Sequence, residues 1–412
     1  MTGAVRSALR SVGSLLIGSG LQVAANAIAA ILATLWLPPA ERGIMVLGTT
    51  VASIVSLLAG LGVGNAYRGR HPRLSSEDAR AFSREFTAAL ALCVVLGGVS
   101  GAVASWVLSL VTESALGTAP IIAAVALASS VQVAQLLLTE ARFALGEFVA
   151  GSRWSALGSV AGLGSLCIAA AMGTGPAGYI FAQSLGSGIV VLLGARGAFI
   201  AGALRWGRSS PGGVAALTLR GVKSMGLPLG IVLISRADRI ILASATSAKV
   251  IAVYALAATI SEVLRLVPTA VGQLTTRHVA TGQGWSIVRR HQLISLLVCA
   301  VTGSLIFVAA ALLIPEVFGA QYSQATQFLA ILLVGEVFYS ILVISNRGLI
   351  GGEWSNIATL LGGWAVFAAL PLYFAGSFLW GAVGCAVARV AVFVVISLFA
   401  SRALRRRMEG PS

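Results

Sequence analysis

Seven ionisable residues stand inside stretches that are otherwise apolar. Arg236, Asp238 and Arg239 interrupt GIVLISRADRIILASA, Glu262 and Arg265 interrupt the apolar run that follows, and Glu336 and Arg389 each lie alone in later ones. A charge at the centre of a bilayer costs roughly 2.5–3.5 kcal/mol on insertion scales. Five in one hairpin would cost on the order of 10 kcal/mol if they faced lipid. Such residues therefore face a protein interior or a wet cavity. Two chemistries fit them. Arg236, Arg239, Arg265 and Arg389 can bind an anion such as a phosphate, because guanidinium is a planar, permanently charged fork of donors. Asp238, Glu262 and Glu336 can bind a proton or sodium. A third arrangement is mutual neutralisation. Glu262 and Arg265 are three apart and share a helix face, whereas Asp238 points about 100° away from Arg239 and needs a partner on another helix. Asp238 or Glu336 can meet Arg389. Four arginines against three acids leave one positive charge over. Arg265 and Arg236, expected to face each other at matching depth across the hairpin, are the strongest candidates, and Arg389 the weakest.

The hairpin that positions the first five reads as two helices, about 225–246 and 250–273, joined at Ser247–Lys249. At ~1.5 Å per residue, ~20 residues cross the ~30 Å hydrocarbon core. The whole chain has this character. It is 58% hydrophobic and 10% charged, against about 25% charged in soluble domains. It reads as an all-α integral membrane protein with twelve transmembrane helices, at about 14–37, 44–67, 87–111, 119–139, 155–173, 178–199, 225–246, 250–273, 292–314, 323–345, 356–376 and 380–400. The first run follows Arg6 and Arg10 but exceeds a signal-peptide core in length, so it reads as a span.

Net charge is +15. Nearly all of it falls on one side, where twenty-two basic residues face two, Arg42 and Lys249, on the other. That asymmetry predicts cytoplasmic termini and membrane lipids, not nucleic acid, as the basic face's partner. The inner segments Arg68–Phe86 and Leu204–Lys223 mix Arg with apolar residues, as amphipathic helices on anionic headgroups would, or plain connectors. The outer loops are too short for a catalytic domain, and Glu41, Glu113 and Glu316 stand alone there. This argues against an enzyme, including a membrane-embedded polyprenyl-linked glycosyltransferase or polymerase. Cys93, Cys167, Cys299 and Cys385 lie in apolar segments and read as packing residues. His71, His278 and His291 are placed in scattered loops. No metal site and no cofactor is expected.

Leu37–Leu47 overlays Ser244–Tyr254 at an offset of 207, close to half the chain. Six spans per half give parallel repeats. The divisions are an amino-terminal lobe (1–203), a cytoplasmic linker (204–223), a carboxy-terminal lobe (224–400) and a basic tail (401–412). At the positions equivalent to Asp238, Glu262 and Arg265 the first lobe has Ile31, Val55 and Leu58. Its polar membrane residues are uncharged: Gln22, Asn26, Asn65, Gln132, Gln135 and Gln183. Such amides can hydrogen-bond sugar hydroxyls, Gln22 and Asn26 first among them, or bridge helices.

Three stretches carry a resemblance: Leu37-Pro-Pro-Ala-Glu-Arg-Gly43, Leu61-Gly-Val-Gly-Asn-Ala66, and Pro228…Asp238…Tyr254…Pro268. With the layout, they resemble the oligosaccharide flippase branch of the multidrug/oligosaccharidyl-lipid/polysaccharide exporter superfamily, over nearly the whole chain. A proline common after span eight in that family is absent around Leu274–Arg277. The resemblance implies a MATE-like V of two lobes around a central cavity. It implies outward flipping of polyprenyl-pyrophosphate-linked oligosaccharide, driven by proton or sodium, in a bacterial cytoplasmic membrane, for lipopolysaccharide or exopolysaccharide assembly. A drug or cation antiporter with the same lobes is the alternative, and would need an acidic or apolar cavity.

Overall fold

The computed structural model describes residues 3–112, 114–280, 282–352 and 354–410, and among them the chain is helical throughout, with no strand. Glu113 lies outside the described residues, as do the side chains of Arg6, Arg10, Pro228 and Arg277. The helices are α1 (Gly3–Trp36), α2 (Pro39–Ala59), α3 (Val63–Arg70), α4 (Ser76–Thr112), α5 (Ala119–Ala144), α6 (Phe148–Ala171), α7 (Pro176–Ile200), α8 (Pro211–Ser224), α9 (Gly226–Ala245), α10 (Ala248–Glu262), α11 (Leu266–Ala280), α12 (Trp285–Phe318), α13 (Gln324–Gly351) and α14 (Ser355–Glu409). Nine helical runs among the described residues are long and apolar enough to cross a membrane. To these the twelve-span layout adds α1, the charge-bearing α9, and the second segment of α14. That helix is broken at Trp380 and Gly381, where Gly381 has φ +58°.

What marks the surrounding solvent as lipid is the arrangement of side chains on α12. Leu297, Val301, Leu305, Val308 and Leu312 form an exposed stripe at helical spacing. Ser295, Cys299, Gly303 and Ala310, small residues, form the buried face. Large residues outward and small ones inward suit packing in lipid, where close backbone approach replaces the hydrophobic drive. The chain is a multi-pass membrane protein.

The chain divides into two compact units, Met1–Leu37 with Ile44–Met225, and Pro38–Gly43 with Gly226–Ser412. In the first, α4 packs on α5, α5 on α7, α6 on α7 and α1 on α6; in the second, α12 packs on α13, and both α13 and α9 pack on α14. The third and fourth spans of each unit thus pair in the same way, and the first lies against the closing pair.

Several expectations shift in detail. Span two is not continuous: Leu61 (φ +47°) and Gly62 (φ +61°) separate α2 from α3. Arg68–Phe86 is mostly helix, because Ser75 caps α4 through the Asp78 amide and carries that helix far below the span edge. Leu204–Lys223 contains α8, whose N-terminus is capped by Ser210 accepting from the Gly213 amide. This segment packs within the first unit. The packing depends on glycine at both sides of one contact: a Cβ on Gly221 would stand 2.3 Å from the Leu61 carbonyl oxygen, and one on Gly62 2.2 Å from that of Gly221. His278 and His291 are helical, not in loops, and their rings lie 5.3 Å apart. Cys93, Cys299 and Cys385 are buried and free. No group of three or more metal-ligating side chains is found among the described residues.

Candidate functional site

Pro268 has no amide proton, so the Leu264 carbonyl one turn back loses its helical partner. The helix after the α9–α10 link accordingly tightens into a 3₁₀ turn at Val263–Arg265 before α11 begins. The stranded carbonyl accepts from the Cys299 thiol at 3.7 Å. This local break sets Glu262 and Arg265 at the bend, where their side chains reach α9 and α13.

All seven charges of the second unit meet there. Arg389 of α14 is at the centre, 1% exposed. It donates through Nη1 to Asp238 Oδ2 and through Nη2 to Glu336 Oε1, each at 2.8 Å. Arg265 grips Glu336 with two bonds, Nε to Oε2 at 2.7 Å and Nη2 to Oε1 at 2.6 Å. Its guanidinium lies 4.4 Å from the Tyr339 ring centroid. Tyr254 donates to Asp238 Oδ2 at 2.8 Å. Glu262 accepts from Arg239 Nη2 at 2.8 Å and has Arg236, Arg389 and Arg265 within 3.6–3.9 Å. Asp238 and Glu336 are sealed, while Glu262 is partly open.

The guanidiniums do not share this equally. Arg389, Arg265 and Arg239 each hold a carboxylate at 2.8 Å or less. Arg236 reaches only Glu262, at 3.7 Å, and its side chain is 34% exposed. The surplus positive charge of four arginines over three acids therefore falls on Arg236, halfway along the 20-residue α9.

The structure brings together every charged residue singled out in the sequence, with a different hierarchy. Arg389 is the most enclosed of the four arginines, not a peripheral one. Arg265 turns toward Glu336 on α13 and does not face Arg236. Asp238 and Glu336 have no open side from which an ion could reach them in this conformation, which leaves Glu262. Sequence reasoning missed the tyrosines as partners. Tyr254 was visible in the Asp238…Tyr254 pattern, and Tyr339 stands three residues from Glu336 on one helix face. Tyr373 is also fully buried here and donates to the Ile234 carbonyl at 2.6 Å.

The uncharged candidates lie in the first unit, apart from this cluster. Gln22 accepts from Ser155 Oγ at 3.0 Å, and Gln135 donates to the Ser155 carbonyl at 3.1 Å, so both bridge helices. Gln132 accepts from Ser56 at 3.3 Å. Asn26 and Asn65 are exposed.

No protein-family description and no curated protein sequence matches the chain. Solved structures do. The lipid II flippase MurJ in an inward closed conformation aligns with TM-score 0.72 at 11% identity, over 93% of this chain and 87% of that one. An inward-facing multidrug resistance MATE family transporter of the MOP superfamily aligns with TM-score 0.69 at 15% identity, over 94% of each chain. A MOP superfamily transporter from Pyrococcus furiosus, described as having a binding pocket of reverse polarity that suggests a different function, aligns with TM-score 0.60 at 14% identity, over 97% and 95%. The chain has the helical fold that these transporters and this flippase share.

Proposed function

We propose that the protein is a membrane transporter, not an enzyme, that flips an oligosaccharide linked to a lipid through pyrophosphate outward across a bacterial cytoplasmic membrane, for cell-surface polysaccharide assembly. Arg236 carries this reading: a mid-helix guanidinium, partly exposed and without a close carboxylate, in a cluster with one surplus positive charge. A phosphate joined to a glycan does not cross hydrocarbon unaided. Guanidinium supplies the compensating charge at depth without titrating. In this reading Arg236 makes the first contact with the phosphate. Arg239 and Arg265, held in place by carboxylates, add to the positive face, and Arg389 fixes the acids behind it. Glu262 is the acid that exchanges a proton or sodium during the cycle, while Asp238 and Glu336 hold the arginines. Asn26, exposed on α1, is assigned to sugar hydroxyls, with Gln22 beside it. The two lobes alternate access, with both termini cytoplasmic.

The description of one similar structure as a lipid II flippase supports a lipid-linked cargo, and the MATE descriptions raise a drug or cation antiporter. The cluster's sign argues against a cationic cargo, because a surplus guanidinium repels it. Reconstituted vesicles decide between them. Protein-dependent movement of a fluorescent polyprenyl-pyrophosphate sugar, without exchange of a lipophilic cation, is expected. Cation exchange without sugar-lipid movement would favour the antiporter.

A further inference from the structure

A second buried arginine lies in the first unit, far in sequence from the charged cluster. Arg142 sits in the last turn of α5, at the end where the basic loops gather, and is 8% exposed. Glycines make room for it. A Cβ on Gly197 of α7 would stand 2.5 Å from Arg142 Nη2, and one on Gly151 of α6 would stand 3.2 Å from the Arg142 Cβ. Nη1 donates to Glu147 Oε2 at 2.5 Å. Nε is buried and has no partner.

Beside this guanidinium a narrow slit runs between α5, α6 and α7. Gln135, Leu138, Thr139 and Arg142 line it from one face of α5, with Trp154 from α6 and Gly194 from α7. The span from Arg142 to Gln135 is about 10 Å of helix rise. Gln135 and Ser155 at the inner end are already bonded to each other. Thr139 Oγ1 donates to the Gln135 carbonyl at 2.8 Å. What the slit offers an occupant is therefore an apolar wall with an aromatic plate, ending at a cation with an unused donor.

That is the outline of an amphiphile with an anionic head. We propose that the slit binds a phosphate-headed lipid of the leaflet on the basic side, phosphate on Arg142 and acyl chain along Leu138 and Trp154. The depth fits, because Arg142 lies two residues from the end of α5, at headgroup level. Basic pockets between helices at that level are suited to anionic headgroups. Glu147 does not close the site. It is more exposed than Arg142, with 37% of its side chain accessible. It can yield to a phosphate that satisfies Nε as well. This inference does not depend on which cargo the protein moves.

The test uses the full chain in detergent, titrated with phosphatidic acid brominated in mid-chain, with tryptophan fluorescence read. The chain has 8 tryptophans, so the signal is the quenching lost on Trp154→Phe. That signal should saturate, and Arg142→Gln should raise its half-saturation about tenfold, ~1.4 kcal/mol. Glu147→Gln, which keeps the guanidinium and frees Nη1, should lower it. Brominated phosphatidylcholine, whose phosphate is covered by its own cation, should give a weaker signal. Inorganic phosphate should displace the lipid only at far higher concentration. Equal quenching by phosphatidylcholine, or displacement by phosphate at the lipid's own concentration, overturns the lipid assignment. If Arg142→Gln fails to fold, an unchanged half-saturation in Glu147→Gln overturns it as well.

Discussion

Arg389 and Arg236 belong to one cluster and carry the same charge, yet truncation should affect them in opposite ways. Arg389→Ala strands Asp238 and Glu336, both sealed from solvent. Breaking a buried pair of this kind costs about 3–5 kcal/mol. Low yield and a large fall in thermal stability are expected in detergent. Arg236→Ala removes a loose, partly exposed pairing worth under about 1 kcal/mol, so stability should stay near that of the parent. Equal stability of the two variants would contradict the hierarchy described here. Tyr254→Phe deletes a hydrogen bond to a buried carboxylate and should lower stability by about 1.5–3 kcal/mol. At this scale the sequence revealed which residues cluster and the sign of their surplus, because charge and depth are readable from spacing alone. It could not reveal who pairs with whom. Arg389 meets Asp238 only through the rotation of α14 about its axis, which packing sets and which one sequence does not encode locally.

Glycine and proline decide where the helices break, and these breaks place the site. Gly221→Ala inserts a methyl 2.3 Å from a backbone oxygen of the α2–α3 turn. Backbone yields less than a side chain, so overpacking of about 1–3 kcal/mol or more is expected. Gly212→Ala is the control in the same helix. Its Cβ meets nothing within 4 Å, so the change should be neutral or stabilise by up to about 1 kcal/mol. Comparing unfolding midpoints of the two variants checks this. Matching midpoints would show that α8 does not dock tightly on that turn. The spans themselves were legible, since a run of twenty apolar residues has few other readings. The interruptions were not. Leu61-Gly62 lies inside an apolar run, and hydropathy does not register a left-handed backbone. Pro268 was visible, but the 3₁₀ turn it causes and the Cys299 thiol that relieves the freed carbonyl depend on a neighbouring helix.

For the whole molecule, the half-length offset and the even number of spans per half predict the same insertion for both repeats. The packing order repeats from unit to unit, although few residues match, because a membrane helix needs only apolar faces and small contacts to keep its place. Cysteines placed at Ser247, between α9 and α10, and at Arg406, near the end of α14, should label from opposite sides of the membrane. Labelling of both from one side would refute the orientation. The charges divide unequally between the repeats: one unit holds seven mid-membrane ionisable residues, while the other has Ile31, Val55 and Leu58 at matching positions. An account in which the surplus charge serves an anionic cargo rests most directly on Arg236. The decisive measurement is the rate at which reconstituted protein flips a polyprenyl-pyrophosphate sugar, taken for Arg236→Lys and Arg236→Ala alongside their thermal stability. The account predicts parental stability in both and flipping reduced about tenfold or more, with lysine failing to restore it because the bidentate fork is lost. Parental flipping by a well-folded Arg236→Ala would contradict it.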